Sequence, residues 1–592
     1  MNDYNTHEHF AKVYGEEYVS KIKLLESRIV ENETGEDLFM VLPMEAGIGK
    51  SLQTDRIIGG YLSQNNQEES ELWTSQGGYR RFLIVKQFVE DVQASIERIN
   101  QCSGLDVALG ITSENWGRYK DNLESLAFHP VIIITHERYL RLAQDAFTRE
   151  YFMEGRHTLI IDEALHIPTF SFSEIEYRKM QSILPISLHG DLLAVCKGLF
   201  KELNRLEQQK SGNLLLKCEP KIKPDTISQF KSKIEAQTYD LEQFNTVRKF
   251  CDMLDAIYAN KCLYNNGRLT SFNSELRRWG LRNNIILDAN GEIDQQYLYD
   301  VGIVIDRQTQ IITHENWTLH HVPFNSSMSN IRRTEDYFPQ MCKLIEEHKS
   351  ESDKTLIVTQ LKAEVELLSH LQGNDIQNVD VAHFGDIVGK NYWRNYTQVW
   401  IIANPLIPME VYPLRWSIAT QQKITNHSLQ MIAEKGKKGK FVFKNADFEA
   451  IRFGCVISEL YQAIKRINRD NTKEAEVFVV HGDSDVFNEL RKHLKGIRLG
   501  DPIQLDVKYH KTDVNPLKKD KADQLVDYIL TLPQGEYDKG LVREAVGIDK
   551  SNFARILKND KIQRLQSAGI IEVTTRKIMK KTSGTGVRVL SS

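Results

Sequence analysis

Residues 41–54, VLPMEAGIGKSLQT, have the types and the spacing that binding of a nucleotide phosphate requires. Gly47 and Gly49 allow the backbone to curl so that its N–H groups face phosphate oxygens. Lys50 can then reach the β- and γ-phosphates, and the Ser51 hydroxyl suits Mg²⁺. The pattern predicts a phosphate loop for ATP and Mg²⁺. The alternative is a surface turn with a chance GKS, because Met44 stands where Gly or Ala is usual. The predicted nucleotide-binding residues of the loop are Glu45, Ala46, Gly47, Ile48, Gly49, Lys50 and Ser51.

Two adjacent carboxylates follow an apolar run in HTLIIDEALH, residues 157–166. Asp162 can hold Mg²⁺, directly or through water, and Glu163 can orient or deprotonate an attacking water. They stand at the carboxyl end of a predicted strand, where open α/β sheets place their sites. A capped helix start is the alternative, since acidic residues favour first turns. Together with the phosphate loop, the pair predicts ATP hydrolysis.

A third group of candidate residues lies in ELYQAIKRINRD, residues 459–470. On a helix, Gln462, Arg466 and Arg469 are spaced i, i+4 and i+7, which is one face. Such a face can direct two guanidinium groups at a γ-phosphate, where arginine fingers stabilise the transferring group. The alternative is a solvated amphipathic helix.

The elements that must position these residues follow from hydrophobic patterning. Short apolar runs alternate with helical stretches in residues 36–165 and again in about 330–510, which predicts parallel sheets with crossover helices. The first set of predicted strands is Leu38–Leu42, Phe82–Val85, Val107–Gly110, Val131–Thr135 and Leu159–Ile161. The second set is Thr355–Thr359, Val379–His383, Val399–Ala403 and Val477–His481. Strand-like runs also occur at Asn284–Leu287, Val301–Ile305 and Gln310–Thr313, whereas residues 167–283 are predicted to be a mainly helical insertion.

Composition limits the classes that need to be considered. With 592 residues the chain is expected to form three or four domains. It has no run of about 20 apolar residues and no signal-like N-terminus, so we expect no membrane association. The seven cysteines form no CxxC pair, which favours free thiols and a cytoplasmic location. The net charge is −4, so contact with nucleic acid must come from local basic surface.

Two segments supply such basic surface. From Pro516 onward the chain has 15 Lys/Arg against 9 Asp/Glu, and its pattern of short helices followed by strands suggests a winged helix-turn-helix. The predicted recognition-helix residues that contact nucleic acid are Lys550, Asn552 and Arg555. Docking on the rest of the chain or on a partner protein is the alternative. Residues 434–445, EKGKKGKFVFKN, are either a lysine loop that tracks phosphates or a solvated hairpin with Phe441 and Phe443 inside.

The motifs MEAGIGKS, IIDEAL and QAIKRINR resemble motifs I, II and VI of superfamily 2 DExD/H-box helicases, in the same order. The resemblance extends to NNIILDANGEID as motif III, with Asn290 in place of Thr, and Lys465 stands where motif VI usually has Gly. It implies nucleic-acid contacts by Thr135, His136 and Arg138 in HPVIIITHERYL, and by Thr359 in motif IV. It also implies that Gly389 and Asn391, in motif V, contribute to the nucleotide site.

The fold implied is an α/β protein with two RecA-like parallel-sheet domains. The first covers residues 1–325 and contains the helical insertion 167–283, and the second covers residues 326–512. A winged-helix domain at 518–592 completes the chain. We expect the two RecA-like domains to close on ATP at their interface.

The function implied is that of an ATP-dependent helicase or translocase acting on nucleic acid, with DNA favoured over RNA. The alternative is an ATP-controlled DNA-binding switch or remodelling protein without processive unwinding, in phage defence or a mobile element. A protein partner could bind through the insertion or the winged-helix domain.

Overall fold

The computed structural model describes residues 4–65, 79–208, 215–259, 262–349, 354–387, 389–425, 428–433, 441–509, 521–567 and 569–581. The chain divides into two compact units. The first unit consists of Met1–Pro168, Ser274–Thr313 and Arg415–Lys423. The second consists of Thr169–Asn273, His314–Leu414 and Ile424–Ser592. Among the described residues, no helix combines the length and the apolar character that crossing a membrane requires.

The elements follow in chain order. Up to residue 168 they are α1 (Tyr4–Val30), β1 (Phe39–Leu42), α2 (Lys50–Asn65), β2 (Phe82–Lys86), α3 (Val89–Ser103), β3 (Ala108–Ile111), α4 (Trp116–Tyr119), β4 (Val131–Thr135), α5 (His136–Leu142), α6 (Ala146–Met153) and β5 (Thr158–Asp162). The insertion contains β6 (Thr169–Phe172), α7 (Glu174–Ile183), α8 (His189–Gln208), β7 (Leu216–Cys218), α9 (Pro224–Glu235), α10 (Leu241–Ala259), β8 (Cys262–Asn265) and β9 (Arg268–Phe272). The first unit then ends with β10 (Asn283–Leu287), α11 (Gln296–Tyr299) and β11 (Ile303–Ile305).

The second unit continues from residue 314. Its elements up to residue 499 are β12 (Trp317–Val322), α12 (Met328–Ile331), α13 (Tyr337–His348), β13 (Thr355–Thr359), α14 (Leu361–Gly373), β14 (Val379–His383), β15 (Gln398–Ile401), α15 (Val411–Thr420), β16 (Met431–Ala433), β17 (Phe441–Phe443), α16 (Ala446–Ile464), β18 (Ala475–Val480), α17 (Ser484–Lys492) and β19 (Arg498–Leu499). The C-terminal part contains α18 (Lys521–Thr531), β20 (Gly535–Asp538), α19 (Lys539–Ala545), α20 (Lys550–Leu557), α21 (Asp560–Ser567), β21 (Ile571–Val573) and β22 (Lys577–Lys580).

A seven-stranded parallel sheet forms the first unit, in the order β11-β1-β10-β5-β2-β4-β3. Its central strands are mainly apolar and buried along nearly their whole length, as in FLIVK and VIIIT, because helices cover both faces of a parallel sheet. β10 lies between β1 and β5, and pairs with both in parallel. The carboxyl ends of these three strands therefore meet at one edge of the sheet, which is where the candidate site lies.

A six-stranded parallel sheet forms the centre of the second unit, in the order β14-β13-β15-β18-β12-β19. The two parallel sheets confirm the predicted α/β fold of two RecA-like domains. The patterning did not predict β12, which pairs with β18 along six residues from Trp317 to Val322. The second sheet therefore takes residues from before position 326. The run Gln310–Thr313 is not a strand in the structure, which corrects that prediction.

The insertion contains the helices α7, α8, α9 and α10. It also has a four-stranded antiparallel sheet in the order β6-β9-β8-β7, which the prediction of a mainly helical segment did not include. β8 and β9 form a hairpin with a two-residue turn at Asn266 and Gly267, whose φ values are 46° and 77°. An Asn-Gly pair between short apolar runs is a strong local indication of such a turn, and it was the indication that the composition-based prediction missed.

The C-terminal part, residues 521–581, packs against two other elements of the second unit. Its core, built around Leu525, Ile562 and Ile578, includes Val365 of α14 and contacts Ile175 of α7. Its three strands form an antiparallel sheet in the order β20-β22-β21. Residues 582–592, which contain most of the predicted wing, lie outside the described part of the chain.

Candidate nucleotide-binding site

The predicted phosphate loop joins the end of β1 to the start of α2. Gly47 and Gly49 have φ values of 98° and 81°, a left-handed conformation that glycine adopts without the strain other residues would meet. α2 begins at Lys50, so the unpaired N–H groups of its first turn lie at the loop. Met44, the unusual residue of the motif, is fully buried in the core of the first unit. Its side chain packs in this core, and the residues of the glycine turn, Gly47 and Gly49, keep their left-handed conformation.

Asp162 and Glu163 lie where β5 ends, at the same sheet edge as the loop. Glu163 Oε1 is 3.7 Å from Lys50 Nζ, and the backbone of Glu163 has φ 68°. A glutamate rarely adopts this conformation, and such residues concentrate at functional sites. The Glu163 N–H donates to Leu287 O at the end of β10, which holds the strained residue in place. The structure thus brings Lys50 and Glu163 together within the first unit.

A buried chain of charges extends from Asp162. Lys86, the last residue of β2, donates to Asp162 Oδ2 at 2.9 Å and lies 3.8 Å from Asp55 Oδ1. Ser95 and Arg98 donate to the other oxygen of Asp55, each at 2.9 Å. Burial raises the pKa of Asp162, but Lys86 and the Ser51 hydroxyl more than offset that effect, so the pKa is lowered overall. The carboxylate of Asp162 is therefore held in its charged form.

Asp288 is a site residue that the sequence prediction did not include. It follows β10, between the phosphate loop and the Asp162–Glu163 pair, and it is fully buried. Its oxygens accept hydrogen bonds from the Asn290 N–H at 2.9 Å and the Tyr297 hydroxyl at 2.8 Å. Burial, and then the charge of Glu163, raises the pKa of Asp288 to about 6. The run IILD has the same form as IID, and this similarity could have identified it.

The polar atoms at the phosphate loop and at the end of β5 fit the binding of a nucleotide with Mg²⁺. Lys50 Nζ and Asp162 Oδ1 are buried, and neither has a hydrogen-bond partner among the described residues. Buried polar groups without partners are costly and rare, so their presence together favours a charged ligand. The donor set of Ser51 hydroxyl and Asp162 carboxylate is the all-oxygen chemistry that Mg²⁺ prefers. Ser51 and Asp162 would hold the metal.

The side chain of Glu45, predicted to bind nucleotide with the rest of the loop, has other partners in the structure. One oxygen pairs with Lys21 of α1, and the other accepts the N–H groups of Ile311 at 2.5 Å and Ile312 at 3.3 Å. Glu45 and Lys21 are both buried. The glutamate therefore connects the phosphate loop to the chain that follows the first sheet, and only its backbone remains for a phosphate.

The arginines of the third motif do not lie on a helix face, which corrects the prediction. α16 ends at Ile464, and Lys465 is its C-cap. Arg466 follows in a turn, where its guanidinium donates to Gln462 Oε1 at 2.7 Å. The helix cannot continue, because Asn468 adopts φ 39° and its N–H bonds to Tyr396 O. Gln462 and Arg466 are brought together, but by the turn and not by helical periodicity.

Motif V and motif VI meet within the second unit. Arg469 donates a hydrogen bond to Asn391 Oδ1, and its backbone N–H bonds to Arg394 O at 3.0 Å. Gly389 has φ 75°, so this position in the turn before Asn391 favours glycine. The structure therefore places Asn391 in contact with Arg469, and the contact of either residue with a nucleotide stays a prediction.

The residues predicted to contact nucleic acid between β4 and α5 have partners in their own unit. Thr135 is the N-cap of α5 and accepts the Arg138 N–H at 3.3 Å. The Arg138 guanidinium lies 4.1 Å from the centre of the Trp116 ring. His136 donates from Nε2 to Asp162 O at 2.9 Å, and burial lowers its pKa. The first residue of α5 is therefore hydrogen-bonded to the backbone carbonyl of Asp162, at the end of β5.

The remaining predicted contacts divide into buried and exposed residues. Thr359, at the end of β13, is fully buried. In α20 the side chains of Lys550, Asn552 and Arg555 are exposed, whereas Phe553 faces the core. Of the lysine segment, residues 434–440 lie outside the described part of the chain. Its flanks form the antiparallel pair β16–β17, with Phe443 buried.

No family model matches the chain, and no curated protein matches it. Solved structures similar to it include S. cerevisiae Dbp5 bound to RNA and ADP BeF3, at 11% identity and TM-score 0.34, covering 84% of this chain and 96% of that one. The DEAD-box helicase Mss116 bound to ssRNA and UDP-BeF has 11% identity and TM-score 0.36, covering 94% and 93%. The DUF1998 helicase MrfA bound to DNA and AMPPNP has 9% identity and TM-score 0.36, covering 98% and 62%.

Helicases, the class that the motifs predicted, are thus among the proteins to which this chain is similar. At these identities and TM-scores the similarity concerns the fold at most. The function has to follow from the residues of the site.

Proposed function

We propose that this chain is a nucleic-acid-stimulated ATPase of the superfamily 2 helicase kind, acting with Mg²⁺ and on DNA in preference to RNA. The observation that carries the proposal is the arrangement at one edge of the first sheet. Lys50 lies where the glycine turn meets the N-terminus of α2. Asp162 and Glu163 lie at the carboxyl end of β5, which is two strands away from β1 in the sheet. This is the set of groups that phosphoryl transfer from ATP to water requires.

Each group has a distinct role in the proposed reaction. The loop N–H groups and Lys50 bind the phosphates and attract negative charge as the terminal P–O bond breaks. The Glu163 carboxylate orients the attacking water and accepts its proton. Mg²⁺, held by Ser51 and Asp162, would neutralise phosphate charge when bound. Lys86 keeps the Asp162 carboxylate ionised and fixed in position.

By the family resemblance, residues of the second unit complete the reaction. Arg466 and Arg469 would stabilise the charge that develops on the γ-phosphate, an effect worth several orders of magnitude in related enzymes. Gln462 and Asn391 hold these two guanidinium groups in the structure. Hydrolysis would then drive the movement along a strand that defines a translocase.

The experiment is an ATPase assay against single-stranded, forked and duplex DNA and the matching RNA forms. We expect stimulation of at least about tenfold by one of them, and larger by DNA than by RNA. Lys50→Ala and Glu163→Gln should each lower kcat by about 100-fold or more while DNA affinity is retained. Lys492→Ala, an exposed residue of α17, is the matched control and should leave the rate unchanged.

The outcomes separate the proposal from the alternative. ATPase activity that no nucleic acid changes would contradict the helicase proposal. Slow hydrolysis, with DNA affinity set by the nucleotide but no displacement of a strand from tailed substrates, would favour the ATP-controlled switch. Displacement from substrates with a 3′ or a 5′ tail would give the polarity of the motor.

A further inference from the structure

The segment that joins the two parallel sheets along the chain, residues 306–316, makes one buried contact in each unit, at Ile311–Ile312 and at His314. We call this segment the connector. It begins after β11 and ends where β12 begins. In the first unit its Ile311 and Ile312 N–H groups donate to Glu45 Oε1 at 2.5 and 3.3 Å. Glu45 directly precedes the glycine turn of the phosphate loop, so the middle of the connector is bonded to that loop.

This first attachment is buried and fully paired. The second oxygen of Glu45 binds Lys21 of α1, and both side chains are buried. Ile311 and Ile312 belong to the same hydrophobic core as Met44 and Ile48 of the loop. A displacement of the loop would have to break a buried ion pair and two hydrogen bonds, or else carry the connector with it. Because breaking a buried ion pair leaves a buried charge without its partner, which is strongly destabilising, we expect the phosphate loop and the connector to move together.

The second attachment lies in the second unit, at Lys465, the residue before Arg466 of motif VI. His314 is buried, and its Nε2 accepts a hydrogen bond from Lys465 Nζ at 3.0 Å. Its ring packs edge-on against Trp317 with 5.2 Å between centroids. Lys465 Nζ also lies 5.5 Å from the centre of the Trp317 ring, a favourable cation–π distance. Lys465 is the C-cap of α16 and directly precedes Arg466.

Lys465 is the residue that departs from the motif VI pattern, where glycine is usual. A glycine could make neither the bond to His314 nor the contact with Trp317. Burial, and then the Lys465 ammonium, holds the pKa of His314 well below its usual value, so the ring remains neutral and able to accept. The substitution of lysine for glycine thus supplies the bond that joins the connector to the arginine turn.

We propose that the connector transmits the nucleotide state of the phosphate loop to Arg466, with Glu45, His314 and Lys465 as positioning residues. Only Thr313 separates the two attachments, and two residue steps span at most about 7 Å of chain. The covalent link therefore has little slack. This inference rests on the proposed function, because it concerns how a nucleotide bound at the phosphate loop affects Arg466.

The test uses ADP with Mg²⁺ as the probe, because ADP fills the phosphate loop but has no γ-phosphate for the arginines to contact. Hydrogen exchange is measured in peptides that cover residues 455–470, with and without ADP and in the absence of nucleic acid. We expect ADP to slow exchange there about fivefold or more. Lys465→Met, which keeps the length and packing of the side chain, should abolish that response and leave ADP affinity within about twofold.

Matched variants distinguish transmission from a general loss of structure. His314→Gln offers an acceptor to Lys465 and should retain at least half of the response, whereas His314→Leu should lose it. Lys492→Met removes an exposed lysine of α17 and should respond as the wild type does. Glu45→Gln, which removes the charge that pairs with Lys21, should lower the response by itself.

Three results would overturn the proposal. They are an ADP-bound wild type with unchanged exchange at residues 455–470, a full response in Lys465→Met, and a full response in Glu45→Gln. Failure of ADP to bind at all would instead contradict the nucleotide site itself. The binding measurement therefore tells failure of the proposed function from failure of the coupling.

Discussion

At the scale of single residues, Asp288 predicts how the protein responds to pH. Its pKa is raised from 3.8 to about 6 by burial and the neighbouring Glu163. The folded state therefore holds a proton that the unfolded chain has lost between these values, and stability falls as the pH rises through this window. Above pH 6, the buried Asp288 carboxylate lowers the free energy of unfolding by on the order of 3 kcal/mol. Asp288→Asn should remove this pH-dependent loss of stability.

The measurement is the melting temperature of wild type and Asp288→Asn from pH 4 to pH 8, without nucleotide. We expect the melting temperature of the variant to rise relative to that of the wild type as the pH increases, and the difference to disappear near pH 4. The asparagine can still accept the Asn290 N–H, and its amide can donate to the Tyr297 hydroxyl. Parallel curves for the two proteins across this range would show that Asp288 does not titrate there.

Lys86 gives a second prediction at this scale. It is the buried cation between Asp55 and Asp162, so Lys86→Met leaves two buried carboxylates without their lysine. Breaking a buried pair in this way typically costs about 3–5 kcal/mol, and we expect a clear drop in melting temperature. Adding Asp162→Asn to Lys86→Met should recover part of the loss, because Asp162 is the carboxylate that Lys86 contacts at 2.9 Å, whereas Asp55 keeps its ion pair with Arg98. A variant as stable as the wild type would contradict the assigned pairing.

At the scale of elements, the accuracy of the sequence prediction follows the physics of each element. Val131–Thr135 and Thr355–Thr359 were predicted with their observed bounds, since strands buried on both faces are continuous apolar runs. Val379–His383 was also predicted with its observed bounds, although Asp380 interrupts its apolar pattern. β12, with the sequence WTLHHV, was missed because two histidines interrupt its apolar pattern. Lys50, Ser51, Asp162 and Glu163 were found because their motifs are local.

Residues whose position depends on tertiary contacts were predicted less well. Arg466 and Arg469 were placed on a helix because their spacing fits one, but α16 stops where Lys465 binds His314. Asn468 and Asn471 adopt positive φ, and asparagine is enriched in that conformation. The NRDN sequence therefore contained an indication of a turn. Lys86 was missed because its partners Asp55 and Asp162 are distant in sequence. Asp288 was missed although its hydrogen-bond partners Asn290 and Tyr297 are near in sequence.

The insertion hairpin gives a prediction for a single element. Gly267 has φ 77°, and no atom lies within 4 Å of the point that a Cβ would occupy there, so its substitution is opposed by backbone strain alone. Gly267→Val should destabilise the β8–β9 hairpin by about 1–2 kcal/mol, seen as faster hydrogen exchange in that pair of strands. Asn266→Gly is the control and should have a smaller effect, since glycine tolerates the φ of 46° at that position. Equal effects of both would contradict the turn assignment.

At the scale of the whole molecule, charge is distributed unevenly along the chain. The net charge is −4, yet the residues from Pro516 onward carry 15 basic against 9 acidic side chains. One side of this C-terminal part packs on α14 and α7. The face of α20 that contains Lys550 and Arg555 is exposed. Docking on the chain and binding of nucleic acid, first considered as alternatives, are thus compatible because they use different faces.

This arrangement predicts how DNA binding depends on salt. If Lys550 and Arg555 each neutralise one phosphate, the double substitution to alanine removes two ion contacts with duplex DNA. The slope of log K against log salt should then become shallower by about 1.8, at about 0.9 per contact. Affinity should fall equally for different sequences, and the melting temperature should stay unchanged because both side chains are exposed.

The control for that measurement is a double substitution of exposed lysines elsewhere, Lys343→Ala with Lys492→Ala, which removes the same charge from α13 and α17. If the loss of slope came from net charge alone, the two double variants would bind DNA alike. A shallower slope only in the α20 variant assigns the phosphate contacts to that helix. An unchanged slope in both would mean that Lys550 and Arg555 do not contact DNA, and that DNA binding has to come from other residues of the chain.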